Sequence, residues 1–205
     1  MIQLGLSGFY HDSAAALVID GKVVAAIEEE KLSGVKHDSS FPFRAIIFVL
    51  KYAQITIDEV DMVCWYENPT LKYERVKKEL TENVVDRVKN IGKFKRFKKR
   101  WNETEGNLKG ILQSIGYDGV ITYTKHHISH LAFAYYTSPF DTAIGLSIDG
   151  VGESETLSAC FIRDNKFQRI KTIDFPHSLG LIYSAFTAYL GFRPNEGEYK
   201  VMGLA

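Results

Sequence analysis

His126 and His130 stand four residues apart in HHISHLAFAYY, so a helix through this stretch would set both imidazoles on one face, able to grip one cation. Taken alone, that spacing is also what two exposed or hydrogen-bonded histidines near a helix start look like. Asp149 adds to the first reading, because it ends the apolar run TAIGLSID and is followed by Gly150, at the tip of an expected strand. Two imidazoles and one carboxylate leave positions open for substrate oxygens. Such a set suits Fe(II) or Zn(II) better than Mg(II), which prefers oxygen ligands.

The next residues, DGVGES, are small, so backbone amides around Gly150 and Gly152 could approach phosphate oxygens without obstruction, or the turn could simply join two strands. A similar turn, SGFYHDSAA, contains a titratable group. An imidazole can take a proton from a hydroxyl at neutral pH, which makes His11 a candidate general base with Asp12 to orient it; the plainer alternative is that both only hydrogen-bond the turn. Lys36 and His37, in KLSGVKHDSSFP, read as a solvated loop pair unless Lys36 serves as a mobile point charge for an anion.

One stretch is strongly basic. Lys93, Lys95, Arg96, Lys98, Lys99 and Arg100 alternate with Phe94, Phe97 and Trp101, a pattern able to follow a nucleic-acid backbone or lie on a membrane surface. The commoner reading is a solvated helix whose aromatics, three and four apart, pack on the domain, balanced by acidic residues at 74–86. Lys+Arg and Asp+Glu both total 25, so no global field draws the chain to nucleic acid, and neither nucleic acid nor membrane is the expected partner.

These residues need positioning elements. The opening reads as three strands, the second and third joined by a tight Asp20-Gly21 turn. A helix is expected from about Phe43 to Ala53, then a short buried strand MVCWY, a charged helical insertion at about 70–115, a strand GVITYT and a helix HISHLAFAYYTS. The order then restarts with TAIGLSIDG, ETLSACFI and FQRIKTID as strands and SLGLIYSAFTAYLGF as a helix. Two α/β lobes facing across a cleft are expected, residues 1–140 forming the first and 141–205 the start of a second that breaks off incomplete. Cys64 and Cys160 sit in apolar runs and read as reduced packing residues. With no signal-peptide pattern and no run of transmembrane length, the expected location is the cytoplasm.

Taken together and in order, GFYHDSAAALVIDG, AAIEEEKLSGVKHDSSFP, HHISHLAFAYYTSPF, SIDGVGE and NEGEYKVMGLA resemble the nodulation-protein and antibiotic O-carbamoyltransferases. The resemblance implies an actin/hexokinase/Hsp70-like (ribonuclease H-like) fold, related to the tRNA threonylcarbamoyladenosine synthase. It implies a transferase that makes carbamoyl adenylate from carbamoyl phosphate and ATP and passes the carbamoyl group to a small-molecule hydroxyl acceptor. On it, His126, His130 and Asp149 hold a divalent metal, Fe(II) by preference, with a fourth aspartate ligand beyond Ala205. His11 matches the base and Lys36 a lysine of the transfer site. Gly150, Gly152 and Glu153 would lie near the nucleotide phosphates, with Lys200 and Gly203 approaching the nucleotide. Members continue past GLA into a C-terminal domain that forms the carbamoyl adenylate, so a chain of 205 residues is expected to need that domain as a partner and to be inactive alone. Two other readings stand beside this one: a tRNA-modifying threonylcarbamoyl transferase-like protein, and a non-catalytic fragment.

Overall fold

The computed structural model of the chain describes residues 1–82 and 84–205 and, of 84–88, the backbone alone. Three antiparallel strands open it, β1 (Ile2–Ser7), β2 (Ala14–Ile19) and β3 (Lys22–Glu28). Asp20 and Gly21 both adopt positive φ, 50° and 78°, the geometry a two-residue hairpin turn requires. Leu4, Leu6, Ala15 and Leu17 are buried, every second residue of their strands, so one face of the sheet carries the core.

A short helix α1 (Glu30–Ser33) leads to α2 (Phe43–Ala53), which buries Ala45, Ile46, Val49 and Leu50 at helical spacing against β2 and β3. Its start is held by the buried Glu29 carboxylate, which accepts the Arg44 and Ala45 amides at 3.2 and 2.8 Å. Strand β4 (Met62–Trp65) and, later in the chain, β5 (Val120–Tyr123) pair parallel to β1 and to each other in turn. The sheet order is therefore β3-β2-β1-β4-β5 with β2 alone reversed, the ribonuclease H-like arrangement.

Between β4 and β5 lies the insertion, α3 (Pro69–Thr81), α4 (Val84–Glu103) and α5 (Leu108–Ser114). Tyr73 of α3 meets Phe97 and Trp101 of α4 with ring centroids 5.5 and 5.1 Å apart, while the six basic residues between 93 and 100 face water. The aromatics thus pack as a solvated helix needs. Of the balancing acids, Glu79 pairs with Arg75 and Glu74 with Lys77; the Asp86 side chain lies outside the described residues. Deeper in, Lys72 places its ammonium 2.7 Å from both Glu67 and Glu105, and Arg100 donates to the Phe9 carbonyl at 2.9 Å.

The chain divides into two compact units, Met1–Thr124 and Lys125–Ala205. In the second, α6 (His126–Tyr136) packs on β6 (Thr142–Ile148) and β7 (Glu155–Arg163), so the helix expected with the first lobe belongs with the later strands. β8 (Lys166–Asp174) completes an antiparallel β6-β7-β8 sheet, the same opening order as the first unit. Leu131, Cys160 and Ile162 form its small core. Ser178 caps α7 (Leu179–Tyr189) by accepting the Leu181 amide at 3.0 Å. A last helix, α8 (Glu198–Leu204), occupies a stretch for which the sequence pattern gave no element. Among the described residues, no helix is long and apolar enough to cross a membrane.

Candidate functional site

The second unit brings the three predicted donors together. His126 begins α6 and His130 follows one turn later, their rings 4.7 Å apart and nearly edge-on. Asp149 stands just past the end of β6. Its Oδ2 lies 2.7 Å from His126 Nε2 and 3.9 Å from His130 Nε2, and the two Nε2 atoms are 3.0 Å apart. One donor atom from each residue falls within 4.8 Å of the others. Two nitrogens and a carboxylate oxygen at this separation fit a divalent cation of the Fe(II) or Zn(II) kind. The bond from His126 holds the Asp149 carboxyl down at about 2, against the opposing effect of its burial, so it is an anion throughout the neutral range.

The turn after β6 is closed by its own hydrogen bonds. The Gly150 amide donates to Asp149 Oδ1 at 2.6 Å and the Gly152 amide to the Glu155 carbonyl at 2.9 Å, so both are committed inside the turn. Space explains the second glycine: a Cβ on Gly152 would lie 3.0 Å from the His126 Cβ. Gly180 is tighter still, since a Cβ there would come within 2.6 Å of the Asp149 and Gly150 backbone. Glu153 is buried and accepts the His126 amide at 3.0 Å, fastening the first residue of α6. Lys200 and Gly203 stand on α8, with the Lys200 ammonium 5.9 Å over the Phe192 ring.

Beside the metal-type set lies His127, fully buried, with Nδ1 2.7 Å from Ser158 Oγ; that hydroxyl reaches Glu155, which Arg169 pairs in turn. Burial, reinforced by the neighbouring His126, holds its imidazole below the usual range, so it packs as a neutral ring.

In the first unit, His11 Nδ1 lies 2.8 Å from Asp12 Oδ2, as its expected orienting role requires. Tyr10 rests 4.6 Å from the His11 ring. The other Asp12 oxygen, Oδ1, lies 2.9 Å from His37 Nδ1. Partial burial pushes the Asp12 carboxyl up, but the bonds from His37 and His11 outweigh it and leave it below its ordinary value. Glu30 accepts the His37 amide at 2.9 Å and pairs with Lys31 at 2.8 Å; these two bonds, in the order Lys31 then His37, bring its carboxyl down to about 2. Lys36 is exposed, with its ammonium 3.5 Å from Glu30. Sequence reading passed over Glu30 and treated His37 as a loop residue; the signal it missed is that a carboxylate at a turn has two oxygens, and a second imidazole lay within loop reach.

The chain matches the family model described as "Carbamoyltransferase N-terminus" over residues 2–205. It is 42% identical to an uncharacterized protein, sll1178, of Synechocystis sp. over 98% of this chain and 34% of that one. It is 31% identical to the nodulation protein NolNO of Sinorhizobium fredii over 100% of this chain and 31% of that one. An uncharacterized protein of Methanocaldococcus jannaschii, MJ1051, is 27% identical over 95% of this chain and 31% of its own. The chain therefore spans about a third of the length of these relatives. A match that takes in the whole sequence, together with the ribonuclease H-like first unit, makes this chain a member of the carbamoyltransferase family, corresponding to its N-terminal region.

Proposed function

We propose that the chain serves an ATP-dependent O-carbamoyltransferase, which passes a carbamoyl group from carbamoyl phosphate, by way of carbamoyl adenylate, to the hydroxyl of a small-molecule acceptor. The observation that carries this reading is the His11–Asp12 pair, 2.8 Å apart, in a chain of this family. An ionised carboxylate only accepts, so it fixes the proton on His11 Nδ1 and leaves the Nε2 lone pair as the base. The acceptor hydroxyl gives its proton to that nitrogen as its oxygen bonds the carbamoyl carbon. The bond from that carbon to the adenylate phosphate oxygen breaks, and AMP departs with the electron pair. Asp12 stays ionised and faces the imidazolium that results.

Lys36, exposed at the surface, supplies a positive charge to the anionic donor in the transfer site. His126, His130 and Asp149 would hold the divalent metal, Fe(II) by preference, which when bound contributes positive charge at the nucleotide phosphate oxygens. The turn at Gly150, Gly152 and Glu153, with Lys200 and Gly203, would lie on the nucleotide side, and Glu153 also fastens the His126 amide. Carbamoyl adenylate comes from a C-terminal domain of the kind these relatives have room for. Two unpaired cysteines agree with a reducing cytoplasm.

The test is acceptor-dependent AMP release by the enzyme containing this region, given carbamoyl phosphate, ATP, Fe(II) and a panel of polyhydroxylated acceptors. His11→Ala should lower transfer by about 100-fold or more while adenylate formation persists. Transfer at the parent rate in that variant refutes the assignment.

A further inference from the structure

We propose that His37 is a positioning residue for the base His11, acting through Asp12, whose two carboxylate oxygens are shared between the two imidazoles. The inference rests on the reading of His11 as the base. Both contacts involve Nδ1, 2.8 Å for His11 and 2.9 Å for His37. Because the carboxylate can only accept, each ring is a donor at Nδ1 and turns Nε2 outward.

Asp12 is the chain neighbour of His11, so by itself it is a weak anchor: both ride on the same turn and can rotate together. A second donor on the far oxygen, from a segment 25 residues away, fixes the carboxylate plane from outside the turn. His37 is well placed to do this because it is itself pinned. Its amide donates to Glu30 Oε2 at 2.9 Å, and Glu30 is held by Lys31 at 2.8 Å. The residues that follow are tied back to the same turn: the Ser13 amide donates to the Asp38 carbonyl at 2.9 Å and the Phe9 amide to the Ser39 carbonyl at 3.0 Å. Asp12 and His37 both hold positive φ, 51° and 54°, a backbone state that non-glycine residues keep only where surrounding contacts impose it.

The same group of atoms could be taken for a cation site, since Asp12, Glu30 and His37 offer donors within 4.8 Å of one another. Glu30 is already engaged, with Oε1 facing the Lys31 and Lys36 ammoniums and Oε2 taking the His37 amide. The groups in contact with the two imidazoles are thus Asp12 and the Tyr10 ring, with Glu30 on the His37 backbone amide and the lysines at 31 and 36 on Glu30. Hydrogen bonds run in a line from Glu30 through His37 and Asp12 to His11.

The readout is the tautomer of His11, followed by nitrogen-15 NMR of the histidine-labelled 205-residue chain at neutral pH, with circular dichroism to confirm folding. In the parent, His11 should carry its proton on Nδ1. His37→Asn keeps an amide N–H near the former Nδ1 position and should preserve that state; His37→Ala should shift His11 toward the Nε2–H form that a free imidazole prefers. An unchanged His11 tautomer in His37→Ala, or a parent His11 protonated on Nε2, overturns the proposal.

Kinetics in the enzyme give the second arm. His37→Ala should lower kcat for transfer by roughly tenfold with the acceptor KM unchanged, His37→Asn should restore most of it, and His37→Ala should add no further loss in a His11→Ala background. Multiplicative losses in that double variant also overturn it. If the enzyme shows no carbamoyl transfer while the His11 tautomer still follows His37, the transfer reading has failed and the coupling of the two rings stands.

Discussion

Glu153 Oε1 accepts the backbone amide of His126 at 3.0 Å, so an acid in the turn after β6 fixes the first residue of the helix that carries both imidazoles. A charged acceptor at a helix N-terminus stabilises by about 0.5–2 kcal/mol when buried and well aligned. Glu153→Ala should therefore weaken divalent-metal binding several-fold by calorimetric titration, though Glu153 offers no atom to the cation. Glu153→Gln, which keeps an accepting oxygen, should lie between the two. Equal affinity in all three proteins would show that the helix start is held without it.

Removing a donor should act more strongly. His130→Ala leaves two of the three groups and should abolish stoichiometric retention of Fe(II) or Zn(II) through gel filtration. Asp149→Asn should do the same, since it removes an anion that His126 keeps ionised down to about pH 2. Retention of one equivalent in either variant, measured by elemental analysis, would move the cation elsewhere.

Gly180 tests how closely the second unit is packed around Asp149. Its Cβ would meet the Asp149 and Gly150 backbone at 2.6 Å, atoms that cannot swing aside. Gly180→Ala should cost roughly 1–3 kcal/mol in denaturant unfolding and lower metal affinity as well. Gly203→Ala has nothing within 4 Å to strike and should leave both unchanged.

The cluster of Lys72 with the buried acids Glu67 and Glu105 sets a pH dependence of stability. Burial, aided by the Glu67 charge, pushes the Glu105 carboxyl up to about 7 despite the opposing pull of Lys72. A carboxyl whose folded value is raised binds more protons folded than unfolded, so it favours the fold at acid pH. That advantage is lost as pH climbs from the ordinary carboxylate range, near 4.5, to about 7. The slope is at most about 1.4 kcal/mol per pH unit. Urea unfolding across this window should show declining stability in the parent and a flatter profile in Glu105→Gln; parallel profiles would exclude Glu105 as the source.

Much of the scaffold was legible because local patterns survive: burial alternates along β1 and β7, α2 buries residues at helical spacing, and an Asp-Gly turn at positive φ joins β2 to β3. The metal-type set was legible too, since a helix fixes where position 130 falls relative to 126 and a strand tip fixes Asp149. What hid was chemistry that depends on a loop's path. The partnership of Asp12 with His37 arises from turns at positive φ, and nothing periodic encodes it. The glycines of DGVGES carry a packing role for a related reason: small residues mark close approach, and at Gly152 one approaching group is the His126 side chain. Helix α8 escaped because its seven residues are too few to show a period.

Ile144, Leu146 and Ile148 alternate along β6 with more than half of each residue's surface in water, and among the described residues β6 has a strand neighbour on one side only. An open ladder edge beside a greasy face is sticky toward any extended polypeptide. In concentrated solution, the isolated chain should bind hydrophobic dyes and scatter light increasingly with time, and Leu146→Lys should quiet both.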